Sequence, residues 1–139
     1  MTKEDILAAC KKHYDHYSDD CSGFVRAVAK ELGYSLSGNA DAIMGQLAKD
    51  WTKVDRAKAV ELVKAGTLII AGLKSSQHNP PRNNGHVVIV VEGVLYNNKY
   101  PPVWGGSIGD AQSRGTKTVG EVWRTTDRDA VRYYQPPGQ

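Results

Sequence analysis

The hydrophobic period of this chain changes near residue 65, and this change limits the folds that the chain can adopt. Before that point apolar residues recur at helical spacing. After it, short segments rich in β-branched residues are bounded by glycine or proline. Helices followed by neighbouring strands are typical of an α+β domain with an antiparallel sheet. The sequence therefore predicts an α+β fold in one domain, 1–139, with 136–139 as a frayed tail.

Four helices are predicted in the first half of the chain: 3–17, from 20 to about 33, 41–49 and 55–64. In the first helix, Ile6, Leu7 and Cys10 share an apolar face, so Cys10 is interpreted as a buried thiol. The second helix has an aspartate available as its N-cap. Gly33 is placed to end it in the left-handed conformation.

Up to five strands are predicted in the second half, within GTLIIAGL, GHVVIVVEGVLY, PPVWGGSI, VGEVWR and AVRYYQ. The segment KSSQHNPPRNN lies between the first two. Its two prolines and clustered polar residues predict an exposed loop.

The composition narrows the possible partners. With 40% hydrophobic and 24% charged residues, the chain has the make-up of an ordinary globular protein. Its net charge of +3 comes from lysines and arginines spread along the chain, which favours a solvated surface over a nucleic-acid partner. No apolar run approaches the roughly 20 residues needed to span a bilayer, and the first residues lack the pattern of a secretory signal. We therefore expect no membrane insertion.

The segment DDCSGFVRAVAKELG places Cys21 in the first turn of the second helix. A thiol at that position faces unpaired backbone N–H groups and the positive end of the helix dipole, which both favour the thiolate. This arrangement indicates a nucleophile. The N–H groups of Cys21 and Ser22 are candidate donors to the oxyanion that forms when the sulfur attacks a carbonyl. The alternative interpretation of Cys21 is a small buried residue without a chemical role.

Histidine is the usual base for a nucleophilic thiol near neutral pH, and the chain has four histidines. His86 begins the predicted strand GHVVIVV, which would hold its side chain in one direction, and it is the predicted base. His13, His16 and His78 lie in polar surroundings. They are predicted to lie on the surface.

Zinc binding is an alternative for the first helix and its flank, where Cys10, His13, His16 and Cys21 occur at short intervals. Positions 10 and 13 share a helix face, but position 16 turns away. The paired cysteines typical of structural zinc sites are also absent. We therefore predict no metal, and thiolate chemistry needs no other cofactor.

Several segments, taken in order, resemble a known group of enzymes. DCSGFV, an LII strand and GHVVIVV resemble the NlpC/P60 cysteine peptidases, papain-like enzymes that cut peptidoglycan stem peptides. A longer series of segments resembles the first family of type VI secretion amidase effectors, bacterial toxins delivered into a rival's periplasm: DDCSGFVRAVAKELG, SGNADAIMGQL, WTKV, LIIAGL, GHVVIVVEGVLY, KYPPVWGGSIG, KTVGEVWRTTDRD and RYY. The resemblance covers nearly the whole chain and implies a papain-like, NlpC/P60-type fold.

The resemblance implies that Cys21 is the nucleophile and His86 the base. It also implies hydrolysis of the amide between γ-D-glutamate and meso-diaminopimelate. One departure from the family is visible at Gly105, where the family can carry a thiol or polar side chain near the imidazole. Any group that orients the imidazole is then a backbone carbonyl, a water, or a nearby side chain such as Ser107 or Asp110.

The resemblance further implies partners and a location. The substrate would be the stem peptide of peptidoglycan. A cognate immunity protein would plug the groove beside Cys21 and His86, and a component of the secretion tube would carry the toxin. The protein would be made in the cytoplasm without a signal peptide and would act in the periplasm of the target cell. The loops 35–42 and 75–84 are the predicted walls of the groove.

Two other classes of function remain open from the residues alone. A cytoplasmic thiol hydrolase, or a toxin that modifies a protein glutamine, would use the same cysteine and histidine. A binding module without enzymatic activity would leave Cys21 inert at neutral pH.

Overall fold

The computed structural model describes residues 1–138, and its central feature is a six-stranded antiparallel sheet. The strands are β1 (Thr52–Val54), β2 (Ile70–Leu73), β3 (His86–Val90), β4 (Pro102–Gly105), β5 (Ser113–Thr118) and β6 (Arg132–Gln135). They lie in the order β1-β6-β2-β3-β4-β5. Residue 139, part of the tail predicted to fray, lies outside the described residues.

Five α-helices accompany the sheet within residues 1–138: α1 (Lys3–Tyr14), α2 (Cys21–Glu31), α3 (Ala40–Asp50), α4 (Arg56–Lys64) and α5 (Val119–Val122). Two short 3₁₀ turns, Asp15–Tyr17 and Ser75–Gln77, complete the regular structure. The α+β fold is confirmed, and it is consistent with a papain-like amidase fold. The four predicted helices are present. The first ends at Tyr14 and continues only as a 3₁₀ turn.

The helix ends follow from local side chains. The Asp20 carboxylate accepts a hydrogen bond from the N–H of Gly23 at 2.9 Å, which caps the first turn of α2. At the other end, Gly33 adopts a φ of +96°, a left-handed conformation that glycine tolerates best. The Asp20 cap and the left-handed Gly33 therefore set the two ends of the helix that carries Cys21.

The sheet separates two hydrophobic cores. Side chains of β3 alternate between them, with Val87 and Ile89 facing α1, α2 and α3, and Val88 and Val90 facing α4 and the segment around Trp123. Cys10 is fully buried in the first core, as predicted, and both cysteines are free thiols. No helix within residues 1–138 combines the length and apolar character needed to cross a bilayer.

The strand prediction for VGEVWR is wrong, because this segment begins with the short helix α5. Glu121 accepts hydrogen bonds from both the N–H and the hydroxyl of Thr118, at 3.0 and 2.9 Å, and this cap starts a helical turn. The neighbouring strand is instead β5, which lies between the predicted strands PPVWGGSI and VGEVWR, where no strand was predicted. A further strand, β1, lies in a segment where none was predicted and pairs with β6.

The start of α2 packs directly on the chain that leaves β4. At Gly106, a Cβ atom would overlap the carbonyl oxygen of Tyr17 and lie 2.9 Å from the backbone nitrogen of Asp20. Beside it, the N–H of Ser107 donates to the carbonyl of Ser18 at 3.0 Å. The close backbone approach at Gly106 therefore sets the distance between the start of α2 and the sheet.

We predict that Gly106→Ala lowers the free energy of unfolding by about 1–3 kcal/mol, because the new methyl group meets backbone atoms that cannot rotate away. The matched control is Gly109→Ala. A Cβ atom there meets nothing within 4 Å, so its effect should stay within about 0.5 kcal/mol. Urea unfolding of both variants measures the difference. Equal stability of the two variants would contradict this account of the contact.

Candidate active site

Cys21 is the first residue of α2, and its thiol lies between the helix and the sheet. Burial raises the pKa of the thiol, while the nearby N–H group of Val87 lowers it. The nearby carboxylate of Asp20 raises the pKa again, and the N–H groups of Ser22 and Cys21 lower it. The net shift is upward. The helix start was expected to favour the thiolate, and burial outweighs its effect.

His86 is the first residue of β3 and is paired with Leu73 at the end of β2. Burial lowers the pKa of its imidazole to about 4, and the neighbouring His78 and Arg82 contribute smaller shifts in the same direction. The residue as a whole keeps some exposed surface. Its Nε2 atom has none, and within residues 1–138 this atom has no hydrogen-bond partner.

The structure brings the two predicted catalytic residues to the same end of the sheet. The backbone N–H of Val87, the residue that follows His86, is near enough to the Cys21 sulfur to lower the pKa of the thiol. Cys21 packs against the first core, whereas His86 contacts Trp123 of the second core. The two residues therefore reach the start of β3 from different layers of the fold. Both pKa shifts favour the neutral forms. Near neutral pH, Cys21 is therefore a thiol and the imidazole of His86 is unprotonated.

The three candidate orienting positions do not supply a hydrogen bond to the imidazole. Gly105 ends β4, and a Cβ atom there would lie 2.9 Å from Cγ1 of Val88. The hydroxyl of Ser107 accepts from the N–H of Gly109 at 3.2 Å. Asp110 is exposed, and its backbone carbonyl accepts from the ammonium of Lys117. Among the described residues, no side chain hydrogen-bonds either ring nitrogen of His86.

The surface prediction for His78 is wrong, because this side chain is only 3% exposed. Its Nδ1 lies 2.9 Å from the carbonyl oxygen of Lys74, and its Nε2 accepts a hydrogen bond from the indole N–H of Trp123 at 3.2 Å. The same indole contacts His86 edge-on, with 5.1 Å between the ring centres and 61° between the ring planes. His78, in the loop that was predicted to be exposed, is therefore linked to His86 through Trp123.

Trp123 is a residue near the site that the sequence did not indicate, because VGEVWR was predicted to be a strand. The available signal was chemical: a buried tryptophan needs a partner for its indole N–H, and a nearby histidine can accept that hydrogen bond. Nothing in a 45-residue separation along the chain indicates that His78 is this partner.

The two loops predicted as groove walls contact each other. The carboxylate of Asp41, in the first turn of α3, accepts hydrogen bonds from the N–H and the hydroxyl of Ser75 at 2.8 and 2.6 Å. Gly85 passes beside this carboxylate, where there is no space for a Cβ atom. The residue before His86 is therefore held between both loops.

Comparison with known proteins identifies the family. No family model matches the chain. Peptidoglycan amidase Tse1 of Pseudomonas aeruginosa is 45% identical to it over 140 residues, which cover 93% of this chain and 87% of that protein. The chain belongs to the type VI secretion amidase effector family. Identity at this level over almost the whole chain extends well beyond the segments around Cys21 and His86.

Membership of this family makes the chain a hydrolytic enzyme. The enzyme class agrees with the neutral thiol and imidazole at the end of β3, which have the chemical groups needed for amide hydrolysis. Within residues 1–138, no group of three or more histidine, cysteine, aspartate or glutamate side chains is arranged to hold a metal ion.

The low pKa of His86 predicts a specific acid sensitivity. An unfolded histidine binds a proton below about pH 6.5, whereas folded His86 binds one only near pH 4. The free energy of unfolding therefore decreases as the pH falls between these values. By pH 4 the loss from this residue reaches about 3 kcal/mol. We predict that His86→Gln abolishes this part of the pH dependence.

Urea unfolding at about pH 7 and about pH 4.5 tests the prediction, since the wild type should lose more stability between them than His86→Gln does. His16→Gln is the matched control, because His16 is exposed, and it should follow the wild type. Identical pH dependence of the wild type and His86→Gln would show that the folded imidazole titrates normally.

Proposed function

We propose that this enzyme hydrolyses the stem peptides of peptidoglycan at the amide between γ-D-glutamate and meso-diaminopimelate, with Cys21 as nucleophile and His86 as base. The observation that carries the proposal is the position of the Cys21 thiol, at the start of α2 and beside the backbone of Val87, the residue after His86. The name of the relative Tse1 supports peptidoglycan as the substrate class. The choice of bond follows from the family resemblance.

In the proposed reaction, the sulfur of Cys21 attacks the amide carbon while its proton passes to the imidazole of His86. A C–S bond forms, and the carbonyl oxygen becomes an oxyanion that the N–H groups of Cys21 and Ser22 can stabilise. The oxyanion then collapses, the C–N bond breaks, and the imidazolium returns its proton to the leaving amine. Water hydrolyses the thioester in the same way, with His86 again taking and returning a proton.

The electrostatics support a base that acts during the attack. Because the pKa of the Cys21 thiol is raised, few thiolates exist in the free enzyme near neutral pH. The imidazole is unprotonated under the same conditions and is ready to accept the proton. Nε2 is enclosed, so Nδ1 is the ring nitrogen that we assign to the exchange with Cys21 and the leaving amine.

The biological setting that we propose is antibacterial. A type VI secretion tube component would carry the enzyme to the periplasm of a target cell, where the cell wall lies. The producing cell would protect itself with a cognate immunity protein that covers the groove beside Cys21 and His86. The fold would then be an NlpC/P60-type version of the papain-like architecture.

Digestion of isolated peptidoglycan, followed by mass spectrometry of the released muropeptides, tests the substrate and the bond. We expect stem peptides cut between D-glutamate and meso-diaminopimelate, and no cut with Cys21→Ser, which retains the shape of the side chain but is a much weaker nucleophile. Cleavage at another bond would replace the proposed specificity. If the stems stay intact, labelling with iodoacetamide separates the alternatives. An alkylated Cys21 would favour a thiol hydrolase or deamidase of another substrate, and an unreactive Cys21 would favour a binding module.

A ranking of variants tests the assigned roles. His86→Ala should lower kcat by about 10²–10⁴-fold, as removal of a general base does. Ser107→Ala and Asp110→Ala should each cost less than about threefold, because the Ser107 hydroxyl bonds to Gly109 and Asp110 is exposed. Circular dichroism confirms that each variant is folded. A folded Asp110→Ala or Ser107→Ala enzyme as inactive as His86→Ala would establish a conventional third catalytic side chain.

A further inference from the structure

The imidazole of His86 has an enclosed side that no hydrogen bond occupies. Nε2 is buried without a partner among residues 1–138, and Gly105 offers no side chain on the neighbouring strand. An imidazole that exchanges a proton through one ring nitrogen must be prevented from rotating about its χ angles. Packing against a neighbouring side chain can prevent this rotation.

Trp123 supplies this packing. Its indole lies 5.1 Å from the imidazole, centre to centre, at an angle of 61°, which is the edge-to-face arrangement that aromatic rings prefer. The tryptophan is itself only 3% exposed and belongs to the second core. It therefore contacts His86 from the layer opposite to the one that carries Cys21.

Trp123 is held in its own position by His78. The indole N–H donates to Nε2 of His78 at 3.2 Å, which requires that nitrogen to be unprotonated. The proton of a neutral His78 then lies on Nδ1, where the carbonyl oxygen of Lys74 accepts it at 2.9 Å. Both hydrogen bonds of the buried histidine are satisfied, so its ring and that of Trp123 have one orientation.

These contacts lead back to the backbone beside His86. Lys74 follows directly after β2, and Leu73, the last residue of β2, is paired with His86. The backbone that anchors His78 is thus the neighbour of the backbone that carries the catalytic imidazole. A displacement of the loop after β2 would therefore move His78 and His86 together.

A second set of contacts fixes the same two segments. Asp127, only 1% exposed, accepts hydrogen bonds from the N–H of Asn79 at 2.6 Å and from Arg124 at 2.8 Å. Arg124 in turn donates to the carbonyl of Pro80 at 2.9 Å. The loop that contains His78 and the segment that contains Trp123 are therefore joined at several points.

We propose that Trp123, held by His78, is the positioning residue for the imidazole of His86 and takes the place of an orienting side chain at Gly105. The proposal rests on the proposed role of His86 as base. Trp123 touches neither the substrate nor the sulfur in this scheme. It acts by covering the Nε2 side of the ring, which leaves Nδ1 facing the groove.

The same cover has an electrostatic consequence. Nε2 is closed to water, and burial of the ring makes protonation of the imidazole unfavourable. The charged or titratable groups that act on the ring are His78 and Arg82, both from the loop before β3. Removing the indole would admit water, and the imidazole would titrate closer to the ordinary value.

The test replaces the indole and reads the imidazole directly. In a Cys21→Ala background, a nitrogen-15 NMR titration of His86 should show a midpoint at least about one pH unit higher with Trp123→Leu than without it. Trp123→Phe should shift it less, because a ring remains. In the background with Cys21 intact, Trp123→Leu should lower kcat by about tenfold or more with little change in KM.

His78 provides the conservative rescue. His78→Gln can still accept from the indole and donate to the carbonyl of Lys74, so it should keep the kcat of the parent and shift the His86 titration less than His78→Leu does. His78→Leu, which can do neither, should behave like Trp123→Leu. Trp51→Leu is the matched control for loss of a tryptophan, since Trp51 contacts Tyr34 and not the site. It should leave the titration unchanged.

The outcomes separate this proposal from the proposed function. A folded Trp123→Leu and a folded Trp123→Phe with the parent titration midpoint and the parent kcat would overturn the positioning role. Full activity of His86→Ala would overturn the assignment of the base. The NMR titration would then still report whether Trp123 controls the imidazole, because it needs no turnover.

Discussion

The rest of the site depends on the contact between the start of α2 and the chain that leaves β4. Gly106 allows the backbone around Tyr17 and Asp20 to approach the sheet more closely than any side chain would permit. The carbonyl of Ser18 strengthens the contact by accepting hydrogen bonds from the N–H of Ser107 and the side chain of Gln112 at 3.0 and 2.8 Å. Because Cys21 follows this turn directly, the contact brings its thiol to β3.

The site lies at a boundary between two separately packed layers. α2 brings the thiol from one side of the sheet, while the imidazole begins a strand and contacts Trp123 on the other side. Each group is therefore positioned by a different core. This arrangement explains why both groups are buried enough to stay neutral, although the pair must still be reachable by a substrate.

Local signals predicted a large part of the fold because they act over a few residues. The aspartate before Cys21, the glycine at position 33 and the helical spacing between them led to the correct bounds of α2. The same reasoning failed for VGEVWR, where the β-branched residues suggested a strand. The cap formed between Thr118 and Glu121 outweighed that propensity and started a helix.

The sequence by itself determined the family, the α+β class, and the two residues proposed for catalysis, since a thiol at a helix start and a histidine at a strand start can be recognised from neighbours in the chain. Only the tertiary structure decided what surrounds them. The burial that opposes the helix start at Cys21 and the pairing of His78 with Trp123 both depend on residues distant in sequence. Desolvation and hydrogen bonding act through space, so no local pattern could reveal them.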